Sequence, residues 1–332
     1  MIGLYLGKFA PLHEGHSFII KKALSECDEV IIFIYDSPEV TDIPLIIRKG
    51  WIEKEFELSE NKLTIVECWD APKEIGYTKK AMVLQENYIL KKLKGTKIDR
   101  FYSAEKYGEH VSIALNAKNC RVTKIKGVSA TKIRNNPYAM RSHVKPFVYK
   151  DLITKVVFLG GVSCGKSTIT EAMAKEFNTK FMPEYGREYW DKHQENRKLT
   201  PNQLSEIASG HINREDEMII DCNEYMFVDT NAITTYLFHR YYFEDKVVPF
   251  PLWNAAENSL TRYDVVFLCD TDIPYDDTED RSGDCQRDLL QKWTIQELII
   301  RKIPYHVLTG SPDVRRWQVN HVLSTYKKWN KE

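Results

Sequence analysis

The sequence predicts an α/β protein built from two doubly wound parallel sheets, one following the other along the chain. Three observations carry that prediction. Short apolar runs alternate with helical patterns through the first 133 residues, the rhythm of a parallel sheet covered by helices on both faces. That rhythm breaks across 134–151, RNNPYAMRSHVKPFVYKD, where two prolines and mixed charge read as a connector, and then restarts. Each half also opens on the same device, an apolar run delivered into a glycine-bearing turn: MIGLYL into GKFAPLHEGH (7–16), and TKVVFL into GGVSCGKST (160–168). The two domains are expected at 1–147 and 153–332.

The elements follow in order. IGLYL reads as a buried strand, and 15–27 as a helix with Phe18, Ile19, Ala23 and Leu24 on one side. EVIIFIYD (29–36) is a strand. PLIIRKGWIEKEFEL (44–58) is a helix with Pro44 in its first turn. KLTIVEC is a strand, 77–93 a helix, IDRFYS a strand, 107–117 a helix and CRVTKI (120–125) another strand. SATKIRNN opens a short helix with Ser129 or Ala130 near its cap. After the connector, TKVVFLG is a strand and KSTITEAMAKEF a helix. TKFM is a short strand before a helix that begins at PEYGRE (183–188). YMFVD (225–229), DVVFLCD (264–270) and PYHVLTG (304–310) are further strands, and 311–329 is a terminal helix.

Composition narrows the function classes. Lys plus Arg and Asp plus Glu both number 47, so the basic excess of a broad nucleic-acid or membrane surface is missing. Seven scattered cysteines, none in a CxxC pair, argue against a disulfide framework or a zinc site and fit a reducing compartment. No apolar run approaches the roughly 20 residues of a membrane-spanning helix, and the N-terminus lacks the pattern of a secretory signal. The expectation is a soluble cytoplasmic protein, with no nucleic-acid or membrane partner and an undetermined oligomeric state.

On a parallel sheet, ligands gather at the carboxyl ends of the strands, where both glycine turns fall. In the first turn, Gly7 permits a tight bend, and His13 and His16 project near the start of the following helix. Backbone N–H groups and the helix dipole favour an anion there, and two imidazoles add donors that can follow charge building on phosphorus. Such a site suits displacement at a phosphate with pyrophosphate leaving; no dedicated covalent nucleophile is present. Ordinary polar residues at a helix start are the plainer alternative.

The second turn fits G-x-x-x-x-G-K-[ST] from Gly160 to Ser167, in the strand–turn–helix context that a P-loop requires. Gly160, Gly161, Cys164 and Gly165 would shape the loop around phosphates, Lys166 would neutralise them, and Ser167, with Thr168 beside it, would reach Mg²⁺. Asp229, ending YMFVD, resembles a Walker-B metal-binding carboxylate, or is simply a turn aspartate. Glu184 would contact a sugar hydroxyl or act as its base, or complement the helix dipole. The polar stretch 276–288 would be a lid delivering Arg281 or Arg287, or a solvated loop.

GxFxPxHxGH is similar to the signature of the HxGH nucleotidylyltransferases, and VSATKIR (128–134) to their SxTxxR phosphate-holding element. An HxGH domain followed by a P-loop kinase resembles the bifunctional NadR family nearly end to end. The ordered set is GKFAPLHEGH, FYSAEKYGE (101–109), VSATKIR, LGGVSCGKST, PEYGRE, FVDTNAITT (227–235) and DIPYDDTEDR (272–281). The resemblance implies a Rossmann-like nucleotidylyltransferase domain and a P-loop kinase domain. It implies phosphorylation of nicotinamide riboside by ATP to nicotinamide mononucleotide, then adenylylation with a second ATP to NAD and pyrophosphate. It implies that Gly7, Lys8 and Phe9 line the nucleotide pocket and that His13 and His16 stabilise the α-phosphate. Ser129, Thr131 and Arg134 would hold the outgoing phosphates, and Ser103, Glu105 and Tyr107 would lie against the dinucleotide. Lys166, Ser167 and Thr168 would handle phosphate and metal, with Asp229 and Glu184 sharing metal or base duty.

Two departures stand out. Some members carry an N-terminal helix-turn-helix repressor domain; this sequence opens directly on the first strand, so no DNA-binding role is expected. Where relatives place a tryptophan for nicotinamide, this chain reads APKEIGYTKK, leaving Tyr77 or Trp69 as the candidate ring, or both as core residues. The alternatives are a pantetheine-phosphate adenylyltransferase fused to dephospho-coenzyme A kinase, and a non-catalytic sensor of NAD and ATP.

Overall fold

The computed structural model describes residues 1–73, 76–196, 198–275 and 287–329, and the backbone but not the side chain of Glu60. The chain divides into two compact units, Met1–Tyr149 and Lys150–Lys328.

In the first unit the strands are β1 (Ile2–Gly7), β2 (Glu29–Tyr35), β3 (Leu63–Cys68), β4 (Arg100–Ser103) and β5 (Lys118–Arg121). Their order is β3-β2-β1-β4-β5, all parallel. The chain builds outward from β1 to β3, then returns to lay β4 on the other side of β1. The reversal of winding therefore lies beside β1, and the carboxyl end of β1 opens where a doubly wound sheet binds ligands. The helices are α1 (Glu14–Glu26), α2 (Leu45–Glu55), α3 (Lys79–Leu93), α4 (Gly108–Ala114), α5 (Ala130–Asn135) and α6 (Pro146–Leu152). Leu4, Phe33, Ile89 and Phe101 are among the side chains that fill the core between sheet and helices.

The second unit repeats the plan with β6 (Thr154–Leu159), β7 (Phe181–Met182), β8 (Tyr225–Asp229), β9 (Val265–Cys269) and β10 (His306–Leu308). Their order is β10-β9-β6-β8-β7, again parallel. Its helices are α7 (Lys166–Glu176), α8 (Tyr185–His193), α9 (Pro201–Met218), α10 (Ala232–Tyr242), α11 (Phe250–Glu257), α12 (Ser259–Arg262), α13 (Arg287–Ile300) and α14 (Pro312–Thr325). Every residue of β6 is buried, as a central strand covered on both faces requires. Phe158 stacks on Phe227 and Phe267 from the two neighbouring strands.

Four expectations are corrected. Phe18 is 51 % exposed, and the buried face of α1 is Ser17, Ile19, Ile20 and Ala23. The fifth strand runs Lys118–Arg121 rather than 120–125, because its register is set by pairing Arg100 to Lys118 and Ser103 to Arg121. As an edge strand with mostly exposed side chains, it carries no apolar signature of its own. The connector is also partly helical, since Pro146 starts α6 and buries Val148 and Tyr149. Finally, Trp69 and Tyr77 are 56 % and 59 % exposed, so neither ring is core.

Candidate functional sites at two glycine turns

The first turn is built from β1 into α1. A Cβ on Gly7 would lie 2.7 Å from the Phe9 ring, so only glycine lets that ring fold back. Phe9, at φ 49°, is fully buried and meets the His16 ring edge-on at 4.9 Å. His13 caps α1, its Nδ1 accepting the Gly15 N–H at 3.1 Å. That bond places the His13 proton on Nε2. The imidazoles of His13 and His16 stack with centroids 3.8 Å apart. Burial holds His13 down to about 4, with His143 also opposing its charge and Glu14 favouring it. Burial, then His13, holds His16 well below the ordinary histidine range. Both are neutral donors at pH 7. His16 Nδ1 is sealed from solvent with no partner among the described residues.

The second motif reaches this turn from far along the chain. Arg134 on α5, 124 residues away, donates through Nη1 to the Ala10 carbonyl and through Nη2 to Thr131 Oγ1 at 3.4 Å. Ser129 caps α5, accepting from the Lys132 N–H. Ser103 is fully buried at the end of β4 and donates to the Glu105 carbonyl; Glu105 pairs with Lys124. Tyr107 donates to the Leu6 carbonyl at 3.3 Å, and burial raises its phenol. Lys8 pairs with Glu39 at 3.4 Å.

Arg48, absent from the sequence-based candidates, holds the turn from behind. It is fully buried and donates to the carbonyls of Lys8 (2.6 Å), Tyr35 (2.8 Å) and Ile43 (2.9 Å). In sequence it is one more arginine in an amphipathic helix, with no signal of that duty.

The second turn runs from β6 into α7. Gly160, at φ +139°, passes so close to β9 that a Cβ would lie 2.6 Å from the Cys269 carbonyl oxygen. Gly165, at φ +82°, caps α7. Lys166 curls over the loop, donating to the carbonyls of Gly161 (2.8 Å) and Gly160 (3.3 Å). Burial works against its charge, but Cys164, Asp229 and Glu184 together hold its pKa above the usual lysine value. Ser167 and Thr168 are exposed at the helix start. Asp229, at the end of β8, is 2 % exposed and hydrogen-bonds to Ser167. Burial, and then the Glu184 carboxylate, push Asp229 up to about 6, against the pull of Lys166. Its Oδ1 has no partner among the described residues. Glu184 is the cap residue of α8 yet makes no capping bond with its side chain.

Of the two arginines expected on a lid or a solvated loop, Arg281 lies outside the described residues. Arg287 sits on the loop, its Nη2 donating to the carbonyls of Ser163 (3.2 Å) and Ile273 (2.9 Å). Two further residues escaped the sequence reading. Gln291 accepts the Gly161 N–H at 2.7 Å and donates to the Cys269 carbonyl. Arg315, 3 % exposed, donates to the carbonyls of Cys164 (2.6 Å), Asp270 (3.0 Å) and Gly310 (3.1 Å) and pairs with Asp272. Among the described residues no helix is long and apolar enough to cross a membrane.

The cytidylyltransferase-like family matches residues 4–52, and the AAA domain family matches residues 155–315. The trifunctional NAD biosynthesis/regulator protein NadR of Escherichia coli is 29 % identical over 82 % of this chain and 70 % of its own length. Its Salmonella typhimurium counterpart is 29 % identical over the same shares. The fold matches a NadR protein solved with NR at a TM-score of 0.57 and 20 % identity, covering 97 % of this chain and 95 % of that one. A NadR protein solved with NAD and AMP-PNP matches at 0.56.

Proposed function

We propose that this chain, a NadR-like protein of NAD biosynthesis, makes NAD from nicotinamide riboside in two ATP-dependent steps in the cytoplasm. The observation that carries the reading is convergence. Two motifs 124 residues apart meet on one turn, where Arg134 holds Ala10 beside the stacked histidines, while a second turn gathers Lys166, Asp229 and Glu184. Relatives solved with NR and with NAD plus AMP-PNP support the same ligands here, NR being read as nicotinamide riboside.

In the second unit, Lys166 would leave the loop carbonyls for the β- and γ-phosphates of ATP. Ser167 and the unpartnered Asp229 oxygen are hard oxygen donors that fit Mg²⁺, which when bound would neutralise charge between the β- and γ-phosphates. Glu184, free of capping duty, would take the proton of the riboside 5′-hydroxyl as that oxygen attacks the γ-phosphorus. Arg287, and Arg281 from the segment 276–286, would steady the transferring group.

In the first unit, a phosphate oxygen of nicotinamide mononucleotide attacks the α-phosphorus of ATP. That P–O bond forms as the α–β bridge breaks and pyrophosphate leaves. His13 and His16 would donate to the α-phosphate oxygens as charge builds, being neutral and already stacked in place. Arg134, Thr131 and Ser129 would hold the departing pyrophosphate at the start of α5. Gly7, Lys8 and Phe9 would border the nucleotide, and Ser103, Glu105 and Tyr107 the dinucleotide. Trp69 and Tyr77 are the exposed rings from which the nicotinamide face would be drawn.

The test is incubation of the chain with nicotinamide riboside and MgATP, followed by product analysis. NAD and pyrophosphate are expected. Unconsumed riboside would sink the kinase half, accumulation of mononucleotide alone would sink the adenylyl half, and turnover of phosphopantetheine instead would move the chain to coenzyme A synthesis.

A further inference from the structure

The phosphate-binding turn of the second unit contains a residue that its motif does not require. G-x-x-x-x-G-K-[ST] fixes the glycines, Lys166 and Ser167 but leaves position 164 open, and here it is cysteine. Cys164 is fully buried beneath the loop and lies in one core cluster with Cys269, the last residue of β9, which is fully buried as well. Gly160 marks how closely the two segments approach: a Cβ there would lie 2.8 Å from Cys164 Sγ and 2.6 Å from the Cys269 carbonyl oxygen. Lys166 Nζ stands 3.8 Å from Cys164 Sγ, and Arg315 and Arg287 add positive charge nearby. Other cysteines bond elsewhere, Cys27 with Tyr102 and Cys68 with the Val66 carbonyl.

We propose that Cys164 and Cys269 form a peroxide-responsive dithiol under the phosphate-binding turn, whose two-electron oxidation joins the sulfurs and disables that turn. The inference rests on the second turn binding a triphosphate. Donation from the Cys269 thiol, and then the cations, hold the Cys164 thiol below the usual thiol range against the effect of burial, and Lys166 Nζ stands beside its sulfur, so Cys164 is the sulfur that attacks. The Cys269 thiol is held far above that range and serves as the resolving thiol.

The steps balance. The Cys164 thiolate attacks one oxygen of hydrogen peroxide, the O–O bond breaks, hydroxide leaves, and a sulfenic acid forms. The Cys269 sulfur then attacks the Cys164 sulfur, the S–S bond forms, and the sulfenic oxygen leaves as water with the Cys269 proton. Two electrons pass from the two sulfurs to one peroxide. Both sulfurs are buried, so the oxidant that reaches them must be a small one, and hydrogen peroxide is. Linkage draws Cys164 toward β9 and away from Lys166, shifting the backbone amides that would cradle phosphate.

The test uses the reduced full chain, treated with hydrogen peroxide, quenched and digested for mass spectrometry. The expected result is a Cys164–Cys269 linked peptide lighter by two hydrogens. Its yield should rise in step with a loss of roughly tenfold or more in riboside phosphorylation, reversed by dithiothreitol. Adenylyl transfer in the same sample should not change. Cys269→Ser should keep its kinase rate and show neither the link nor the reversible loss. Inactivation that runs ahead of linkage in the unsubstituted chain, or that is equal in Cys269→Ser, overturns the proposal. A chain that never phosphorylates the riboside, yet links the two peptides and thereby releases a bound ATP analogue, would refute the kinase reading and support this one.

Discussion

The two glycine turns share a backbone plan and differ in charge. Each follows a central parallel strand, bends at a glycine that a Cβ would block, and opens a helix toward the ligand side. Each is held from behind by a buried arginine on another helix, Arg48 or Arg315, which satisfies three backbone carbonyls. The first turn then presents two neutral imidazoles, while the second presents a lysine whose charge is held by Cys164 and nearby carboxylates. Neutral donors that strengthen as charge develops suit an α-phosphorus between two bridging groups. A fixed cation suits the terminal phosphate, where charge is densest. On the proposed function, one scaffold device would serve two positions of attack, and the side chains after the glycine would decide which.

The sharpest way to break this comparison is to remove the cation. Lys166→Ala should lower riboside phosphorylation by on the order of 10³-fold and leave adenylyl transfer from supplied mononucleotide intact. Loss of both in parallel would show that the two turns are not independent. Next comes His16→Ala, which should lower NAD formation by on the order of 10²-fold, since it removes one transition-state donor and the partner on which His13 stacks. Kinase turnover should persist. An unchanged NAD rate would take the imidazole pair out of the chemistry.

Much of this contrast was legible in the sequence, and what was not has a physical reason. The strands, the glycine turns and the histidines announce themselves because apolar runs and rare residue orders are local signals. The two arginine clamps are tertiary: Arg48 reads as a helix-surface residue until the fold brings the Lys8, Tyr35 and Ile43 carbonyls around it. Gln291 and Arg315 were hidden in the same way, inside helices more than a hundred residues beyond the loop they hold. The fifth strand was placed two residues late because an exposed edge strand takes its register from its neighbour. Arg281 falls outside the described residues, so of the two candidate arginines only Arg287 has a place on the loop.

The clamps sharpen the comparison at the level of stability. Arg48→Met and Arg315→Met would each leave three carbonyls without their donor, at a cost of about 3 kcal/mol in the unit concerned. Hydrogen exchange read strand by strand should show weaker protection in β1 and β2 for the first variant and in β6 and β9 for the second. Equal loosening of both sheets in either variant would contradict the division into units.

The smallest expected effect tests the charge difference itself. Asp229 is raised to about 6, so in the free chain it takes up a proton as pH falls through that value and loses the charge that the proposed function gives to Mg²⁺. The kinase kcat/KM should therefore fall about twofold between pH 8 and pH 6, and about tenfold per unit below. His13 stays neutral down to about 4, so adenylyl kcat/KM should show no histidine limb between pH 8 and pH 6. The same shifts act on stability with opposite signs. For His13, folding lowers the pKa, so between about 6.5 and 4 the unfolded chain binds more protons. Acidification across that window then removes on the order of 3 kcal/mol from the first unit. For Asp229, folding raises the pKa, so between about 6 and 4 the folded chain binds more protons and acidification favours the second unit. His13→Asn, which keeps a capping acceptor for α1, should lessen the acid loss in the first unit, His16 keeping its own share, and Asp229→Asn should remove the gain in the second. If both substitutions moved the pH dependence in the same direction, the assignment of a neutral pair to one turn and a carboxylate raised by burial to the other would be wrong.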